Sequence, residues 1–137
     1  MDKRVPMSEA PDSPETLQAE IDRLQARMLK RAFFVMYRSV VDPVKFRRTL
    51  PDHLRWLMDL EDNGLIFASG PAFKSDNTPA PGMTIFRAQD FKHAEELAAS
   101  DPVCLAGAAT FHIHRWMVGA GRISVSVDFS DQTYKFD

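Results

Sequence analysis

The sequence predicts one α+β domain, a four-stranded antiparallel sheet with two helices on one of its faces. Three observations carry that expectation. Short runs rich in aromatic and β-branched residues alternate with longer segments whose apolar residues recur every three or four positions, in the order strand, helix, strand, strand, helix, strand. Turn chemistry falls between them, at Asp42-Pro43, Asn63-Gly64, Gly70-Pro71 and Asp101-Pro102. A chain of 137 residues, 45% of them hydrophobic, buries one core and is too short for two ordinary domains.

Residues 1–12 are polar, hold Pro6 and Pro11, and read as a flexible tail. Ser13, Pro14 and Glu15 supply an N-cap, a first-turn proline and a first-turn acid, so an appended helix is expected over residues 13–31. Leu17, Ile21, Leu24 and Met28 give it one narrow apolar stripe. Covering its own core and entering a dimer fit that stripe equally well.

Ala32 to Val41 (AFFVMYRSVV) is short, aromatic and β-branched, and reads as a buried first strand. The conformation after Pro43 is ambiguous. A helix is then expected from the neighbourhood of Pro51, through Leu54, Leu57, Met58 and Glu61, to a left-handed stop at Asn63-Gly64. Leu65 to Ser69 is a second strand ended by the Gly70-Pro71 bend, residues 72–81 are a loop, and Met83 to Arg87 is the third strand. Asp90 caps a second helix reaching about Ser100, with Phe91, Ala94, Leu97 and Ala98 turned inward. In the fourth strand, Ala109 to Met117, alternation puts Thr110, His112, His114 and Trp116 on one face and Phe111, Ile113 and Arg115 on the other. After the turn VGAG, RISVSVDF reads as an extra amphipathic strand.

This order is the split βαβ, or ferredoxin-like, pattern βαββαβ. It occupies residues 32–118, and residues 119–137 are a C-terminal strand extension. Helices cover one face of such a sheet, and the other face calls for a partner. A second copy is the common solution, so a homodimer or higher homo-oligomer is expected.

Seventeen basic and nineteen acidic residues leave a formal charge of -2, which offers no basic footprint for nucleic acid. No window approaches the run of about twenty apolar residues that crosses a bilayer, and MDKRVPMSEAPDSPE lacks the apolar core of an export signal. Neither a nucleic-acid nor a membrane partner is expected, and the location is read as cytoplasmic. Cys104 stands alone, so no internal disulfide forms; with no basic neighbour in sequence it reads as an inert thiol. Gly-rich nucleotide loops, nucleophile elbows and Cys/His zinc spacings are absent from the sequence. No cofactor is assigned, although folds of this kind hold flavin or haem without a linear signature.

Four segments in this order carry a resemblance: AFFVMY, PDHLRWL with its closing NG, the ASGP bend, and DPVCLAG followed by a strand. Together they resemble the YciI-like (YCII-related) family over Phe33 to Trp116. The resemblance implies a ferredoxin-like domain that dimerises into an α/β barrel, with an active site made by a histidine of the first helix and the aspartate of the DP motif. Those positions here are His53 and Asp101. It further implies small-molecule chemistry of the lyase or isomerase kind, one relative being a dehydrochlorinase of a chlorinated aromatic diol. The N-terminal helix, the C-terminal strand, and histidines at 112 and 114 depart from the family's pattern.

In its helix's first turn, His53 would meet the positive end of the macrodipole, which disfavours the imidazolium. Asp101 would accept a hydrogen bond from one ring nitrogen and fix the tautomer, leaving the other to take a proton from a phenol, enol or carbon acid. The plainer reading makes His53 a surface residue and Asp101 a turn former. His112 and His114 point the same way but make an incomplete metal set; they are expected, with Trp116, as substrate contacts, and no metal is assigned. Ser69 and Gly70 offer backbone N–H groups to a bound anion, which Pro71 cannot. A small-molecule ligand is therefore expected, turned over by the His53 and Asp101 dyad or, alternatively, held by a non-catalytic metabolite-binding or regulatory module.

Overall fold

A computed structural model of the chain describes residues 13–136, so the tail expected over residues 1–12 lies outside the described residues. In chain order the elements are α1 (Pro14–Gln25), β1 (Arg31–Val40), α2 (Pro43–Asp62), β2 (Ile66–Phe73), β3 (Pro79–Phe86), α3 (Phe91–Ala99), α4 (Pro102–Leu105), β4 (Ala109–Val118), β5 (Val125–Asp128) and β6 (Thr133–Phe136). They fall into two compact units, Arg31–Met117 and the segments flanking it.

In the larger unit the strands lie in the order β2-β3-β1-β4, the expected ferredoxin-like arrangement. β3 runs antiparallel to both neighbours, with Phe34 opposite Phe86, Met36 opposite Thr84, and Arg38 opposite Gly82. Alternation along β1 sends Phe34, Met36 and Arg38 to the helix-covered face and Phe33, Val35 and Tyr37 to the other. Phe34, Met36 and Phe86 meet Leu60 and Trp56 of α2, Ala94, Ala98 and Leu97 of α3, and Phe111 and Ile113 of β4. The two alanines are wholly buried, and their small side chains let α3 lie close to the sheet. On the opposite face Phe33 lies 5.3 Å from Phe67 and 6.1 Å from Trp116 between ring centres.

Several expected boundaries need correction. α2 starts at Pro43, eight residues before Pro51. Asp42 caps it, its Oδ1 accepting from Lys45 N at 3.0 Å, and Pro43 takes the first-turn position that suits a residue without N–H. Pro51 sits inside the helix at an exposed position, as does Arg47, whose carbonyl loses its partner there, so water can serve that carbonyl. The inward face therefore runs through Phe46, His53, Trp56, Leu57 and Leu60, while Leu54 and Met58 are 45% and 59% exposed. Gly64, at φ 68°, ends the helix as expected.

Gly70-Pro71 does not end β2. The strand carries both residues through register shifts between Ile66 and Ala68 and between Gly70 and Ala72, which an edge strand tolerates because its outer N–H positions have no ladder to break. The loop shrinks to a tight turn in which Lys74 N donates to Thr78 O at 2.8 Å and Asn77 adopts φ 67°. Finally, the extra strand expected in RISVSVDF forms, shortened to β5. Val125–Asp128 pairs with an unforeseen β6 in a separate two-stranded sheet, with Val125 opposite Phe136 and Val127 opposite Tyr134, all exposed.

The smaller unit also holds α1, closed by a capping box between Ser13 and Thr16. It stops at Gln25, short of the expected end, and buries none of its residues. Met28 therefore lies beyond the helix, and Leu17 and Ile21 remain exposed.

Candidate active site

Three segments distant in sequence converge on the helix-covered face of the sheet. β1 supplies Arg38, which alternation places inward beside Met36. The inner stripe of α2 supplies His53. The junction of α3 and α4 supplies Asp101, whose backbone takes the extended conformation of an N-cap (φ -61°, ψ 123°). His53 and Arg38 are each 6% exposed, and Asp101 is fully buried.

Asp101 organises the group. Its Oδ1 lies 2.8 Å from His53 Nδ1 and accepts from Val103 N at 3.2 Å, and its Oδ2 accepts from Arg38 Nε at 2.7 Å. Burial pushes the Asp101 carboxyl up, but the His53 hydrogen bond, the Arg38 charge and the remaining bonds together outweigh it and hold the carboxyl below the usual aspartate value. An ionised carboxylate only accepts, so Nδ1 carries the proton of the shared bond. Neutral His53 is thereby the Nδ1–H tautomer, with its lone pair on Nε2.

Arg38 is anchored on a second side. Its Nη2 donates to Thr84 Oγ1 at 2.9 Å and approaches Met36 Sδ at 3.3 Å. Thr84 Oγ1 is 2.8 Å from Ser69 Oγ, which donates to Met83 O at 3.1 Å. With the Ser69 proton on Met83, Thr84 donates to Ser69, and the chain of donors runs one way from Arg38 to the β2 edge. The Trp56 ring lies 5.6 Å from His53 and 5.9 Å from the Arg38 guanidinium carbon. Its Nε1 donates to Ser100 Oγ at 2.9 Å, tying α2 to the residue before Asp101.

Every fully buried side-chain nitrogen or oxygen among the described residues has a hydrogen-bond partner. His53 Nε2 and Arg38 Nη1 make no such bond among the described residues, so both reach the molecular surface. The group therefore presents one lone pair and one cationic N–H edge from an otherwise sealed cluster. This suits proton transfer beside a negatively charged oxygen.

His53 and Asp101, expected as a pair, are in hydrogen-bond contact. The first-turn argument for His53 fails, because α2 begins ten residues earlier at Pro43 and the dipole's influence is confined to the first turn. Asp101 orients the ring instead. Ser69 joins the cluster through its hydroxyl, and Gly70 stands beside it in β2. His112, His114 and Trp116 lie on the opposite face of the sheet, where His112 stacks on Tyr37 at 5.0 Å and His114 meets the same ring at 5.4 Å. The chain does not bring these three to His53. No group of three or more His, Cys, Asp or Glu among the described residues is placed to hold a metal ion. Cys104 is the inert thiol expected: burial, and then the Asp101 charge, push it up to about 11.

Arg38, Thr84 and Trp56 were not singled out by sequence reasoning. For Arg38 a signal existed: a cation at an inward position of an apolar strand must find a buried counter-charge.

Residues 32–117 match the YCII-related domain family. Among solved structures, the chain is similar to a 5-chloro-2-hydroxyhydroquinone dehydrochlorinase from Burkholderia phenoliruptrix, determined in complex with 2,5-dihydroxybenzoquinone, at 21% identity and a TM-score of 0.51 over 61% of this chain and 92% of that one. That likeness is one of fold. No curated protein matches the sequence. Among the described residues, no helix is long and apolar enough to cross a membrane.

Proposed function

This chain belongs to the family of YCII-related domains, and from that premise we propose that it is a small-molecule enzyme of the lyase or isomerase type, with His53 as general base. The observation that carries the reading is the 2.8 Å bond between His53 Nδ1 and a buried, Arg38-paired Asp101. A surface histidine beside a turn former would show neither the burial nor the shared carboxylate.

In the proposed step, His53 Nε2 takes a proton from a phenol, enol or carbon acid. The electron pair of the broken bond stays with the substrate as an enolate or phenolate. It then either expels a leaving group from a neighbouring carbon, giving a lyase, or is reprotonated elsewhere by His53, giving an isomerase. Asp101 keeps its proton-free form and stabilises the imidazolium, the orienting role an aspartate plays in other His-Asp pairs. The chlorinated hydroxyhydroquinone in the structural relative's name makes phenolic substrates the first class to screen. A dimeric barrel and a cytoplasmic site belong to the same proposal.

The test joins a structural readout to turnover. Ring nitrogen chemical shifts should show the Nδ1–H tautomer in the neutral form of His53, and Asp101→Asn should lose that signature. In a screen of halogenated phenols and enolic lactones, His53→Gln should lower turnover by about 100-fold or more. A His53 ring protonated on Nε2 when neutral, or a His53→Gln variant as active as wild type, overturns the base assignment. Saturable binding of a screened compound with no conversion by wild type would favour the metabolite-binding module.

A further inference from the structure

Arg38 Nη1 is the unusual group in this cluster. Its guanidinium has five N–H donors. Nε is spent on Asp101, and Nη2 is turned to Thr84 and Met36. Nη1 bonds nothing among the described residues, although the side chain is 6% exposed. The sequence makes room in front of it. Gly82 lies opposite Arg38 across the β1 and β3 ladder, and a Cβ built there would stand 3.7 Å from Nη1, 3.6 Å from Gly70 O and 3.9 Å from Pro71 Cα. The nearby hydroxyls cannot serve as donors, because Thr84 and Ser69 have committed their protons along the chain that ends on Met83 O.

We propose that Arg38 Nη1 and the space over Gly82 form an oxyanion subsite that binds the phenolate or enolate oxygen of the substrate. This deepens the reading of His53 as base and rests on it for the reaction, though not for the binding. Asp101 couples the two halves by holding Arg38 with one oxygen and His53 with the other, so the cation and the base keep fixed positions. A guanidinium already desolvated and anchored reorganises little when negative charge develops on the substrate oxygen. The substrate class is thereby narrowed to planar compounds whose acidic O–H or C–H is conjugated to an oxygen that carries the charge.

4-Nitrophenol is the probe, because its phenolate absorbs in the visible and its phenol does not. With the full chain, near the pH at which the free probe is half ionised, added protein should raise the phenolate band saturably. In wild type the Arg38 guanidinium proton and nitrogen signals should shift on titration. Gly82→Ala puts a methyl in the subsite at ordinary contact distances and without a left-handed backbone, and should weaken binding about tenfold or more, the loss of a charge-assisted hydrogen bond. No rise in the phenolate band, an Arg38 signal indifferent to the probe, or a Gly82→Ala affinity within about twofold of wild type each overturns the subsite. Failure of the base reading is distinct. It would appear as the wrong His53 tautomer in the same samples with probe binding intact.

Discussion

Replacing Asp101 by Asn removes the negative charge that Arg38 and His53 share while keeping the shape of the side chain. Asparagine has one carbonyl oxygen and one NH2 group, so it can satisfy one of the two donors and must turn an N–H toward the other. Removing one partner of a buried ion pair costs about 3–5 kcal/mol. Arg38 keeps its bond to Thr84 and some contact with water at Nη1, which places the expected cost at the lower end, about 3 kcal/mol. With a urea dependence of about 1–3 kcal/mol per molar, the unfolding midpoint should fall by roughly 1–3 M. Arg38→Met should be costly for the complementary reason, a carboxylate left without its cation, and the double variant should recover at least about 1.5 kcal/mol relative to the sum of the two. Acid weakens the effect. Because the Asp101 carboxyl is held below its usual value, the folded chain binds fewer protons than the unfolded one between the two pKa values. The stabilisation is thus fully present above the unfolded value near ~3.9 and is lost as pH falls through the folded one. An Asp101→Asn cost under about 1 kcal/mol, additivity in the double variant, or a wild-type advantage that grows toward acid would refute the coupled cluster.

Two further outcomes follow from the same packing. With its thiol pushed up to about 11, Cys104 should be about one part in ten thousand thiolate at pH 7, so alkylation of the native chain should lag far behind that of the urea-unfolded chain; rapid native labelling would contradict the burial. Phe86, wholly buried against Met36 and edge-on to Trp56, should cost about 3–5 kcal/mol when cut to alanine, and a urea midpoint within error of wild type would place the core elsewhere.

The sheet and its two helices were legible because each element carries a local signature. β1 declares itself through AFFVMYRSVV, and α3 through Asp90 and the spacing of Ala94, Leu97 and Ala98. Structure and sequence differ where two local signals compete. Pro51 looked like a helix start because proline favours first turns, yet Asp42-Pro43 offered the same signal earlier and with a better cap. Gly70-Pro71 looked like a strand end, yet an edge strand absorbs such a pair in a bulge. The candidate site was legible through the family resemblance, which pointed to His53 and Asp101; their spacing alone would not have paired them.

By itself, then, the sequence determined the order of the four sheet strands and the two main helices, because periodicity, caps and backbone restrictions act over a few residues. Tertiary structure decided which side of α2 faces the sheet, that His53 lies far from the helix start, and that His112 and His114 stand on the other face from it. It also decided the partnership of Arg38, His53 and Asp101. Asp101 lies 48 residues from His53 and 63 from Arg38, and a cation, a ring and a carboxylate so far apart meet only when strand register and helix packing set their positions together. Once met, they stay, because a buried charge without its partner costs more than the chain's local preferences can offset.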